Sequence, residues 1–186
     1  NRQAYGQISS LISKLRKRSN KGCYYLTQQD LQVGLSECLG IWICEGQGVE
    51  QLSAIGAHLQ SLIPRLWIGL GLFHDGQDLH KTASALTLST ALKLPIVAVN
   101  DVHTHCPDRQ GLQNIVSAIR LKTDIHSLGY RGFCNAERTL RSITTLQQLY
   151  PDEMLAQTMV IADLCQFDMD ELRYDYPEDL VPPHLT

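Results

Sequence analysis

Apolar positions along the chain change period several times, and each change marks an element. Tyr5, Ile8, Leu11 or Ile12, and Leu15 recur at the spacing of one helical face, and Asn20 to Gly22 ends that helix. Cys38 to Cys44, CLGIWIC, is a compact apolar run bounded by EGQG, which suits a buried strand better than a helix. Gln51 to Leu62 returns to a helical pattern that Pro64 closes. Leu66 to Phe73, LWIGLGLF, is a second apolar strand, stopped by the turn-forming pair Asp75 and Gly76. A helix over 78–93 follows, with Leu79, Ala83, Leu86 and Leu92 among its apolar positions. A third strand, Pro95 to Val99, comes directly after it.

Strand and helix alternate with short connections over 38–121, where Leu112, Ile115, Val116 and Ile119 make the last amphipathic helix. That alternation predicts α/β architecture: parallel strands with helices packed outside, as an open sheet or a barrel. From Asn135 the texture turns helical or irregular. Pro151 with Asp152 and Glu153 is a good helix start. The tail YDYPEDLVPPHLT is Pro-rich and acidic, like a linker. The chain is therefore expected to divide into an α/β portion, 1–134, and a helical extension with its linker, 135–186. It contains no internal repeat.

Composition narrows the class. Hydrophobic residues are 44% and charged residues 19% of the 186, an ordinary globular balance. No apolar run is long enough for a membrane span, and the start NRQAYGQISSLISKLRKR turns charged where a signal peptide is apolar. The chain lacks an initiating Met and reads as a piece of something longer. Its six cysteines include no C-x-x-C pair, which argues for a reduced, cytoplasmic setting rather than a disulfide framework. A net charge of -3 argues against a surface built mainly for a phosphate backbone. The local exception, KLRKRSNKG, reads more simply as a solvated helix end whose cations favour the dipole.

The third strand ends unusually: PIVAVNDVHTHC places Asp101, His103 and His105 at alternate positions. If the backbone stays extended, these side chains share a face. Carboxylate and imidazole are ordinary ligands for zinc or manganese, and functional groups gather at the carboxyl ends of parallel strands. The alternative is that Asp101 caps the next turn while the histidines sit half-exposed in a loop. Spacing alone leaves both open.

The ordered motifs add a resemblance. Pro95 to His103, Leu112 to Arg120 and Asn135 to Leu140 read like a "PxVAxNDVH" strand end, an "LQ(D/N)xxxAIR" helix and an "NAERxL" loop. Together they resemble the PHP (polymerase and histidinol phosphatase) domain of bacterial C-family DNA polymerases. CLGIWIC, the second histidine at position 105 and FDMDELRYDYPEDLVP over 167–182 resemble the error-prone, translesion branch. The likeness covers nearly the whole chain.

The resemblance implies a partial, distorted (β/α)7 barrel with metal ligands at its strand ends, leading into a polymerase palm. It implies zinc or manganese held by Asp101 and His103, and Cys44 is the better positional match for a further cysteine ligand than Cys38. Other ligands would lie upstream of residue 1, and a frequent glutamate is replaced by Gly71, so the ligand set is expected to be partial. The intact protein would be a DNA-directed DNA polymerase using magnesium, DNA and deoxynucleotides. A sliding clamp and other translesion proteins would be partners. The polymerase's catalytic carboxylates would lie downstream of Thr186. A stand-alone phosphoesterase and a non-catalytic structural module are the alternatives.

His58, His74, His80 and His126 are isolated and read as surface or packed residues, with His74 close enough to a strand end to face its rim. Trp42 and Trp67 sit in apolar strands and are expected in the core. Glu137 and Arg138 are expected to pair and lock their loop against the barrel or the next domain.

Overall fold

Three apolar runs form one parallel sheet. In the computed structural model, which describes residues 1–32, 34–44 and 48–173, β1 (Leu39–Ile43), β2 (Arg65–Leu70) and β3 (Ile96–Ala98) lie in the order β1-β2-β3. Ile41 stands opposite Trp67, and Ile68 opposite Ile96. The helices in chain order are α1 (Arg2–Arg18), α2 (Gln28–Leu31), α3 (Val49–Leu62), α4 (Asp78–Leu92), α5 (Gln110–Leu121), α6 (Ile143–Leu149) and α7 (Asp152–Leu164). The α/β class therefore stands. The acidic, Pro-rich tail read as a linker lies outside the described residues.

Strand period decides the two faces. Leu66, Ile68 and Leu70 of β2, with Ile96 of β3, cluster with Leu52 of α3 and Ala85 and Leu88 of α4. Ile68 and Leu88 are wholly buried. Gly56 lets α3 approach, because a Cβ there would stand 2.4 Å from Leu92 Cδ1 and 2.6 Å from Trp42 Cζ3. The other face carries Ile41, Ile43, Gly69 and Val99, and a Cβ at Gly69 would come within 2.9 Å of Ile41. On β1 this face is open, with Ile41 45% and Ile43 56% exposed.

Helix α4 ends where Lys93 takes a left-handed backbone, φ 56°, and turns the chain into β3. The second strand is shorter than its apolar run. From Gly71 the chain leaves the sheet, and Phe73 folds back so that its ring would lie 2.8 Å from a Cβ at Gly71. Helix α7 packs along β3, and Gln157 accepts a 2.8 Å hydrogen bond from the indole of buried Trp67. Helix α7 thus covers the sheet directly.

Helix α1 buries no residue fully and is tied down by charge. Arg18 and Lys14 both reach Asp30, with N–O distances of 2.5 and 3.1 Å, and the Asp30 side chain is 2% exposed. The basic run after Ser13 thus spends two of its cations inside the chain.

Candidate functional site at the strand ends

Beyond β3 the backbone finds a new partner. The Val99 N–H still donates to Leu70, but those of His103 and Thr104 donate to the Arg138 carbonyl at 2.8 and 3.2 Å. Leu140 N–H returns a bond to Thr104 at 3.2 Å, and the Asn100 side-chain amide donates to Thr139 at 2.8 Å. Thr104 and Thr139 form an isolated parallel bridge. The NDVHTH segment is zipped to NAERTLR.

This pairing sets the side-chain geometry. Asp101 Oδ1 lies 3.2 Å from His103 Nε2, across a tight turn in which the Val102 N–H donates to the Asn100 carbonyl at 3.0 Å rather than along an extended strand. Asp101 Oδ2 accepts from Arg138 Nη1 at 2.6 Å. The Arg138 guanidinium lies 4.1 Å from the centroid of the Phe73 ring and 4.6 Å from that of Phe133. The His103 ring packs on Phe133 at 4.7 Å, and its Nδ1 is 3.4 Å from the Gln113 amide. His105 goes elsewhere, its Nε2 3.5 Å from the Cys106 thiol.

A cleft of about 440 Å³ opens here, lined by Cys44, Gly71, Lys81, Asp101, Phe133 and Arg138 among others. Cys44 and Asp101 therefore share one cavity. Burial pushes the Cys44 thiol up to about 12, so it lines the cleft as a neutral group. Cys38 faces the other way, its Sγ 3.6 Å from the Ala4 carbonyl of α1.

The loop from Asn135 to Arg141 fastens the exit of β2 as well. The Asn135 amide donates to the Phe73 carbonyl at 2.7 Å, and Arg141 donates to that of Leu72 at 2.8 Å. Glu137 accepts from Arg141 at 2.9 Å and lies 3.4 Å from His74 Nδ1, which puts His74 on this rim. Glu137 and Arg138 do not pair with each other. Arg138 turns into the cleft to Asp101, while Glu137 turns to Arg141. The expected Glu137–Arg138 pair is thus replaced by two separate ones, and the partner of Arg138 lies 37 positions away.

A metal at this strand end has to meet that arrangement. Among the described residues no three His, Cys, Asp or Glu side chains gather as a ligand group. Asp101 offers one oxygen to His103 and the other to Arg138, so a guanidinium stands where a bound cation would neutralise the carboxylate. As arranged, these residues hold an arginine.

The comparisons bear on the whole chain. A Dechloromonas aromatica (strain RCB) protein named Error-prone DNA polymerase is 41% identical over 192 residues, covering 100% of this chain. The chain is homologous to a segment of error-prone DNA polymerases. The Methylococcus capsulatus protein of that name is 41% identical over 187 residues, again 100% of the chain, and that of Pseudomonas aeruginosa is 39% identical over 181. The chain spans only 17% or 18% of the length of these relatives. No family model matches it. Among the described residues no helix is long and apolar enough to cross a membrane.

Proposed function

We propose that the chain is a segment of an error-prone, DNA-directed DNA polymerase, and that it serves there as a PHP-type scaffold. The observation that carries this is the identity of about two residues in five along the entire chain to proteins of that name. In this reading the three parallel strands are an arc of the distorted barrel, completed by other parts of the polypeptide beside its edge strands. Residues 135–186 lead toward the polymerase palm. Nucleotide addition, with magnesium, DNA and deoxynucleotides, belongs to acidic residues elsewhere in the protein. Extension past damaged template, with a sliding clamp and translesion proteins as partners, is the role in the cell.

The geometry supports a structural task for this segment. Asn135, Arg138 and Arg141 each bridge a strand exit to the loop that follows α5, so the sheet and the 135–164 segment act as one support. Two carboxylates with free oxygens and an open metal position, which phosphoester hydrolysis would want, are not what the Asp101 side chain presents.

Primer extension tests the reading. The longer protein carrying this chain is expected to extend a primed template across an abasic site, and the 186-residue chain alone to extend nothing. Hydrolysis of p-nitrophenyl phosphate by the longer protein, lost in Asp101→Asn and without any primer extension, would instead establish a phosphoesterase.

A further inference from the structure

The cation at the strand end is supplied by the chain itself. Asp101 is 56% exposed, and a bare surface carboxylate in a cleft is a ready site for a divalent ion. Its Oδ2, however, is held at 2.6 Å by Arg138, whose side chain is only 21% exposed. Two features keep that guanidinium in place besides the carboxylate. The Phe73 and Phe133 rings clamp it at 4.1 and 4.6 Å, a cation–π arrangement that favours a planar, weakly hydrated cation. The Arg138 carbonyl is anchored by the N–H groups of His103 and Thr104, which fixes its backbone beside the Asp101 loop.

We propose that Arg138 is a built-in substitute for a divalent metal at Asp101, and that it excludes metal from the Asp101–His103 pair. The Oδ1 to Nε2 separation of 3.2 Å is short enough for both atoms to bind one ion, so the pair is suited to metal once the arginine leaves. Removing the Arg138 charge while keeping its bulk frees Oδ2 and leaves a carboxylate and an imidazole facing the cleft. Lysine at this position keeps the charge and therefore keeps the metal out.

Manganese titration of the longer protein that carries this chain, followed by calorimetry and water-proton relaxation, tests this. Arg138→Met is expected to bind Mn²⁺ at least about tenfold more tightly than the wild type, a difference of about 1.4 kcal/mol. Arg138→Lys is expected to show no gain, and the double variant Asp101→Asn, Arg138→Met to lose it. The proposal is overturned if the wild type binds as tightly as a folded Arg138→Met chain, or if the gain survives Asp101→Asn. Should Arg138→Met lose its far-UV signal, the wild type decides. Mn²⁺ binding that Asp101→Asn abolishes overturns the proposal, and binding that is indifferent to Asp101 upholds it.

Discussion

Tyr150 donates its phenolic proton to the carbonyl of Val99, 3.2 Å away, and so fastens the end of α6 to the exit of β3. The same oxygen accepts the N–H of Leu72 at 2.9 Å, so one buried hydroxyl holds two strand exits. Burial raises its pKa, which keeps it a donor.

Tyr150→Phe leaves a part-buried amide and a part-buried carbonyl without that partner while hardly changing packing. A loss of about 1–3 kcal/mol is expected, because the cost is that of stranding polar groups. Urea unfolding of the two proteins checks it. An unchanged midpoint would mean that water reaches both groups and that the hydroxyl is no clasp.

How much of this was readable beforehand depends on range. The strands were plain because CLGIWIC and LWIGLGLF are apolar runs between breakers, and all three expected strands form. Asp101 and His103 do end side by side, but across a tight turn at Asp101 rather than on the extended backbone that alternation assumes. Three things lay beyond local pattern. His105 departs because the chain turns at Cys106 into a short 3-10 helix. Asp30, one polar residue in TQQDLQ, gives no sign that Lys14 and Arg18 will surround it. Arg138 meets Asp101 across 37 positions, brought together by the backbone pairing of the two segments around Thr104 and Thr139.

The contact at Gly56 is sterically closed. Alanine would gain about 1 kcal/mol of helix propensity over glycine. Its Cβ would overlap Leu92 at 2.4 Å and the Trp42 ring at 2.6 Å, and overpacking of that kind costs about 1–3 kcal/mol. Gly56→Ala is therefore expected to lower the melting temperature, and adding Leu92→Ala should recover part of the loss. A higher melting temperature in Gly56→Ala alone would show that α3 and α4 are not packed this closely.

Asp30 should make stability depend on acid. Hydrogen bonds from Arg18, then from the Thr27 side chain and amide, hold its carboxyl well below the usual range. A depressed folded pKa means the contribution is complete above the ordinary value of about 4 and is lost as pH falls toward the folded one. Asp30→Asn is thus expected to be less stable than wild type near neutral pH, with the gap narrowing on acidification. Melting curves from about pH 7 to about pH 3 measure this. A gap of constant width would mean that the carboxylate charge is not what ties α1 to the loop.

Cys44 gives a chemical readout of the cleft. The thiolate is the reactive form, and burial pushes this thiol up to about 12. Below that pH Cys44 stays protonated, whereas Cys23, Cys134 and Cys165 are exposed. Iodoacetamide at about pH 8 should therefore label those three first and leave Cys44 unmodified until denaturant is added. Peptide mass spectrometry at timed intervals follows each site. Labelling of Cys44 as fast as the exposed cysteines would mean that the strand ends open in solution. The same result in Tyr150→Phe but not in wild type would assign the closing of that cleft to the clasp between Tyr150 and Val99.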